Sequence, residues 1–190
     1  APLWKEVEKA KEDGLPKTAV TKLDEILTLC RQSHRTGEWM RALGEKITLE
    51  ATIEGNQPAE KVQRLQAAMA GADADAQPLL RAMLAKWYWH YYRQNRWRFL
   101  NRTPTDQVDE ADFTTWDLKK IFGVIDGHYQ ALLQEREVLQ RIPLQRFAGF
   151  LESGTMPERM RPTLYDFVAW EALDFYTSAF FTLAEYRKPE

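Results

Sequence analysis

Apolar residues recur along this chain at intervals of three and four, the period of helices buried on one side. From Leu3 to Asp13, Trp4, Val7 and Ala10 share one side, and Lys5, Glu6, Glu8, Lys9, Lys11 and Glu12 lie on the other. Gly14 stops that helix. A second begins at Leu15-Pro16, with Ala19, Leu23, Ile26, Leu27 and Cys30 inward. After a break at His34 to Gly37, a third spans Glu38 to Ile53 around Trp39, Ala42, Leu43, Ile47, Leu49 and Ala51. Gly55-Asn56-Gln57-Pro58 is a turn, and Ala59 to Ala70 forms a fourth helix with Val62, Leu65, Ala68 and Met69 inward.

The chain is organised around Pro78 to Thr103, which reads as one long helix ending near Asn101. Leu80, Leu84, Trp87 and Tyr91 define its inner side, widened by Leu79, Met83 and Tyr88. Rings then surround it at Trp87-Tyr88-Trp89-His90-Tyr91-Tyr92, so other helices must cover it on most sides. It carries Arg81, Lys86, Arg93, Arg96, Arg98 and Arg102 and no acid.

An acidic loop, Thr105 to Asp112, leads to a helix capped at Thr114 or Thr115 and running to about Gln134, with Trp116, Leu118, Ile121, Phe122, Ile125, Tyr129, Leu132 and Leu133 buried. Gly123 and Gly127, four apart, predict a close helix approach. Glu135 to Gln140 either continues that helix or breaks it. Ile142-Pro143-Leu144 is a stop, followed by a short helical piece through Phe147, Phe150 and Leu151. Pro162 opens the last helix, whose apolar surface is Leu164, Phe167, Val168, Leu173, Phe175, Phe180 and Phe181. No stretch alternates with period two, so no strand is predicted. The expectation is an all-α protein: one domain over 1–190, an irregular α–α array of about seven helices. Residues 1–70 form a start of tetratricopeptide-like (TPR-like) helical pairs, and residues 78–190 an aromatic-rich helical core.

Composition narrows the function classes. The 190 residues carry a formal net charge of −2, which argues against a general polyanion binder. Seven Trp and 12% aromatic content predict rings in cores or interfaces. The single cysteine, Cys30, on an apolar helix side, allows no internal disulfide and reads as an inert small hydrophobe. No run approaches the roughly 20 apolar residues of a membrane span. The chain opens Ala1-Pro2 without an initiator Met and stops at Arg187-Lys188-Pro189-Glu190 without a tapering polar tail; the expectation is a piece of a much longer chain whose targeting segment has been removed.

Three groups of residues are candidates for chemistry. The rings and Arg residues of the long helix can stack bases and neutralise phosphates; the preferred reading makes the rings core and the Arg residues a rim, neutralised by Asp106, Asp109, Glu110, Asp112 and Asp117. Among the histidines, His34 is expected to be solvated, His90 to be packed in the core, and His128 to face away from nearby Asp126. No HExxH or helical His pair is present, so no metal or cofactor is expected. Glu171 and Asp174 share a side of the last helix, with Asp166, Tyr165 and Trp170 near, a pairing that glycosidases use; the preferred reading is a wet face or pairing with Arg, from Arg159, Arg161 or the long helix. No nucleophile elbow, P-loop or dinucleotide fingerprint is present.

Several pieces resemble one family when taken in order. They are Leu3-Trp4-Lys5-Glu6-Val7-Glu8-Lys9-Ala10 with Gly14-Leu15-Pro16-Lys17-Thr18-Ala19, then Trp87-Tyr88-Trp89-His90-Tyr91-Tyr92 with Asn95-Arg96-Trp97 and Asn101-Arg102-Thr103, then Thr115-Trp116-Asp117-Leu118, and Arg161-Pro162-Thr163-Leu164-Tyr165-Asp166-Phe167. This resembles the N-terminal helical region of the very large bacterial alpha-2-macroglobulin-like proteins. The resemblance implies an exported, periplasmic or cell-envelope protein of the endopeptidase-inhibitor kind, whose bait region and thioester lie downstream, so no functional residue carries over. It makes the aromatic and Arg/Asp positions fold determinants, with Asp166 expected to pair with an Arg of the aromatic helix.

The expected function is therefore a non-catalytic scaffold or interaction domain, its partners being downstream domains or other proteins. Trp87, Tyr88, Tyr91, Tyr92, Arg96, Trp97, Arg102, Tyr165 and Asp166 are the structural or interaction candidates. A nucleic-acid binder requires Arg93, Arg96, Arg98 and Arg102 exposed together and unpaired. A helical glycan hydrolase, the weaker rival, requires Asp166, Glu171 or Asp174 in an open cleft. An exposed apolar patch at the C-terminal end would favour a missing neighbour.

Overall fold

The computed structural model describes residues 2–55, 57–74, 76–101, 109–110, 112–147, 150–151 and 161–186. Within them the fold is all-α: nine α-helices, two 3₁₀ turns and no strand, and Pro143 and Thr163 form an isolated antiparallel bridge. The chain divides into two compact units.

The first unit holds residues 1–76 and 144–158. Its helices are α1 (Pro2–Glu12), α2 (Pro16–Gln32), α3 (Thr36–Ile53) and α4 (Pro58–Ala70). The boundaries follow local chemistry. Gly14 takes φ +69°, Pro16 and Pro58 sit in first turns, and Gly55 takes φ +92°. The second break is tighter than expected: Thr36 and Gly37 already belong to α3, because His34 supplies the positive φ of 52°. α2 packs on α1 and on α3, and α3 on α4. Val7, Ala19, Leu23, Ile47 and Leu65 are essentially without exposure and belong to its core. The 3₁₀ turn Leu144–Phe147 lies against α3 and buries Phe147 completely. Trp4 is held inside this unit: its indole N–H donates 2.8 Å to Glu38 Oε1 and the Arg41 guanidinium stacks over its ring at 4.1 Å. Arg64 ties α4 to α3 by pairing with both Glu50 and Glu54.

The second unit holds residues 77–143 and 159–190. Its helices are α5 (Gln77–Gln94), α6 (Arg96–Leu100), α7 (Leu118–Gln134), α8 (Arg136–Leu139) and α9 (Leu164–Tyr186). The expected single long helix breaks at Asn95. There the backbone N–H reaches both Tyr91 and Tyr92 carbonyls, and the side-chain amide donates 2.9 Å to Tyr91 O. A side chain that bonds its own backbone competes with the helix, and Asn is a weak helix former. The start of α7 is also corrected. Asp117, not a threonine, caps it, accepting 2.7 Å from Lys120 N–H. Thr114 and Thr115 lie instead in a 3₁₀ turn capped by Asp112. Glu135 breaks the chain between α7 and α8. Apart from α7's own nearby backbone, no described atom comes within 4 Å of a Cβ placed at Gly123 or Gly127, so the expected close approach is not made there among the described residues.

Candidate interaction surface

α5 is covered by α7 and α9, and Leu79, Leu80, Leu84 and Tyr88 of the expected inner side are buried, but the covered arc is rotated toward Trp89 and Tyr92. Tyr88, Trp89 and Tyr92 are the buried rings, while Trp87 and Tyr91 are half-buried. The ring of Tyr88 packs edge-on to Phe113 at 5.1 Å and stacks on Trp116 at 5.5 Å. Trp89 meets Phe175 at 5.3 Å, and Tyr92 meets Phe122 at 4.8 Å. Burial pushes the Tyr88 phenol up to about 12. The Trp89 indole N–H is buried without a hydrogen-bond partner among the described residues. These rings form a core.

The basic rim divides by position. Lys86 bonds Glu171 at 3.0 Å, and Arg81 lies 3.9 Å from Glu135. Arg98 is half-buried and donates to Tyr91 Oη at 3.3 Å. Arg93 is exposed and pairs with no described residue; Arg96 is exposed; Arg102 lies outside the described residues, as does Asp106. The other acids serve other ends. Glu110 pairs with Lys120 at 2.6 Å, Asp112 and Asp117 are helix caps, and the Asp109 carbonyl accepts from Trp116 Nε1. Four unpaired, clustered guanidiniums are thus not what the described residues present.

The histidines differ from expectation at one place. His34 is exposed, as expected. His90 is also exposed, bonded to Gln94 at 2.8 Å, because the buried arc of α5 runs through its neighbours Tyr88, Trp89 and Tyr92. His128 stacks on Tyr88 at 6.2 Å, and burial, helped by the charge of Arg81, lowers its pKa.

Each carboxylate of α9 has its own fate. Asp166 pairs with no Arg among the described residues. Its Oδ2 accepts from the N–H of Thr163 at 3.0 Å and from its hydroxyl at 2.6 Å, while its own N–H points to Thr163 Oγ1 at 3.3 Å. That reciprocal pair is a capping box. Glu171 is held by Lys86, and Asp174 is exposed with no described partner. Tyr165 is half-buried beneath the guanidinium of Arg136 at 5.6 Å. Asp126 accepts 2.8 Å from the Tyr176 hydroxyl; burial first and Asp126 second push that phenol up to about 12. The three candidate acids do not converge on one cleft. Among the described residues no group of His, Cys, Asp and Glu is placed to hold a metal ion. Arg159 lies outside them.

In the first unit, a cavity of about 10 Å³ lined by Cys30, Arg31, Thr36, Trp39, Asp73 and Ala76 is at the lower bound for a single water. Burial raises the Cys30 thiol, with Glu38 adding to it, so no reactive thiolate is made there.

What the expected sites omitted is the outer side of α9. Its apolar set splits in two. Leu164, Phe167, Val168 and Phe175 are buried, but Trp170, Leu173, Phe180 and Phe181 are 45%, 55%, 69% and 63% exposed. Trp97, on α6, is 71% exposed. The signal was present in the spacing. At 100° per residue, Leu173 and Phe180 sit roughly 160–180° from Leu164, while Phe175 and Val168 sit beside it. Among the described residues, no helix is long and apolar enough to cross a membrane. Comparison with protein-family models, with curated proteins and with solved structures finds no match.

Proposed function

We propose that this chain is a non-catalytic helical interaction domain of a large exported alpha-2-macroglobulin-like protein, and that it docks to other protein surface through the outer sector of α9. One observation carries the reading: Leu173, Phe180 and Phe181 are each more than half exposed on a helix whose opposite side is fully buried. A helix that is apolar all round is stable in water only when something covers it. The acids that chemistry would need are committed elsewhere, Asp166 to a cap and Glu171 to Lys86. The resemblance to the N-terminal helical region supplies the setting, an envelope protein with further domains downstream, and the packing of α1 on α2, α2 on α3 and α3 on α4 is in keeping with a scaffold role. No cofactor enters this function.

The test is the size and place of the native gene product. An antibody against this chain is used on a blot of fractionated cells. A band many times larger than 22.2 kDa in the envelope fraction is expected. A soluble band near 22 kDa overturns the alpha-2-macroglobulin-like setting.

A further inference from the structure

The uncovered residues of α9 form one continuous stripe. At about 100° per residue, Trp170, Leu173, Thr177, Phe180 and Phe181 fall within a sector of about 100°, and all five are exposed. The stripe runs for about three turns, roughly 16 Å at 1.5 Å per residue.

Its layout is self-complementary. Thr177, the small member, lies near the centre of the sector. Leu173 and Phe180 lie along one edge, one before Thr177 and one after it; Trp170 and Phe181 lie likewise along the other. Two helices approach most closely where the side chain between them is small. An antiparallel two-fold at Thr177 therefore sets Leu173 beside Phe180 of a second copy on one edge, and Trp170 beside Phe181 of that copy on the other. The area suffices for a weak contact. With about 200 Å² per large side chain, the exposed fractions of these four leave roughly 450 Å² on one copy. Pairing two copies removes about 900 Å² before Thr177 and its flanks are counted, which reaches the roughly 1,000 Å² at which specific interfaces begin.

Charge gives this stripe no preference for an oppositely charged segment. From Pro162 to Tyr186 the chain holds no Lys or Arg. Glu171 is held by Lys86, Asp174 is exposed at the edge of the stripe, and Glu185 follows one turn beyond Phe181. In the two-fold contact the two Asp174 positions stand about 9 Å apart along the helix, roughly a Debye length in physiological salt. They repel weakly, so the contact tightens as salt rises.

We propose that α9 joins two copies of this chain in an antiparallel contact through Trp170, Leu173, Phe180 and Phe181, with the two-fold axis at Thr177. The inference rests on the interaction-domain reading and names its partner as a second copy.

Sedimentation velocity of the full chain, from micromolar to sub-millimolar concentration, tests this. The mean mass is expected to rise from 22.2 kDa toward twice that value. Phe180→Ser should weaken the dimer about tenfold or more, and Asp174→Asn should tighten it about threefold at low salt. Both positions are exposed, so the variants fold, which circular dichroism checks. Under mild oxidation Thr177→Cys should give a disulfide-linked dimer, whereas Lys119→Cys, on the exposed side of α7, should not; Cys30 is buried and does not compete. A mass that stays at 22.2 kDa throughout overturns the inference. So does a dimer that Phe180→Ser leaves intact, or one in which Thr177→Cys links no faster than Lys119→Cys. A monomer that floats with phosphatidylcholine vesicles only while Phe180 is present overturns it in favour of a lipid surface. The envelope blot decides the setting independently, so failure here and failure there are distinguishable.

Discussion

Thr163 and Asp166 hold each other across the first turn of α9. The carboxylate takes both the N–H and the hydroxyl of Thr163, and the Thr163 oxygen faces the N–H of Asp166. The entry to α9 is fastened a second time by Leu164 N–H, which donates 2.9 Å to Ile142 O. An acid expected to neutralise an Arg is instead the start signal of the helix that carries the exposed rings.

Thr163→Ala should therefore cost about 1 kcal/mol, the worth of an N-cap side chain. That corresponds to a fall of about 2–4 °C in melting temperature for a chain of this size. Asp166→Ala should cost a similar amount, and the double variant less than the sum, because the two act as one unit. Thermal unfolding followed by circular dichroism reads all three. Additive losses would show that the two residues are not coupled.

His128 predicts a pH dependence whose sign can be worked out. An imidazole in the unfolded chain titrates near 6.5. In the folded chain burial, and secondarily Arg81, depresses that value. Below about 6.5 the unfolded state thus binds more protons than the folded state, so stability rises with pH through this window and is lost on acidification. The urea midpoint should fall between about pH 7 and pH 5, and His128→Gln should flatten that part of the profile. An unchanged slope in the variant would remove His128 as the cause.

The two buried indoles of the second unit should respond differently to the same change. Trp116 Nε1 donates 2.8 Å to the Asp109 carbonyl, whereas Trp89 Nε1 has no partner among the described residues. Replacement by Phe removes a similar volume at each place. Trp116→Phe should cost more than Trp89→Phe by about 1 kcal/mol, because only the former strands an acceptor. Denaturant midpoints of the two variants measure the difference.

Gly123→Ala and Gly127→Ala should each stabilise the chain by about 0.5–1 kcal/mol. Both lie within α7 with open space where a side chain would sit, and glycine inside a helix costs backbone entropy. A loss of stability would mean that another backbone approaches α7 there.

Much of this architecture was legible locally. Gly14, Pro16, Gly55 and Pro58 punctuate the first unit because positive φ and a missing N–H act within one or two residues, and α1 to α4 carry narrow apolar stripes that can face only one way. The second unit was harder. α5 has rings on every side from Trp87 to Tyr92, so periodicity could not say that Tyr88, Trp89 and Tyr92 would be buried and His90 exposed. α9 posed the same ambiguity, and its outer rings were expected to be part of its apolar surface rather than left uncovered. The break at Asn95 had only a weak local cue, a side chain able to bond its own backbone.

The sequence by itself determined an all-α chain, most helix boundaries, the buried stripe of each one-sided helix and the absence of catalytic motifs, because these follow from short-range sterics and from a single apolar face. Only the tertiary structure decided which side of α5 and of α9 is covered, that Asp166 caps its helix, and that Trp97, Phe180 and Phe181 are left exposed. The physical reason is that a helix apolar on all sides carries no internal preference for a face. Burial there is assigned by the neighbours that arrive, α7 and α9 around Trp89, and by those that do not.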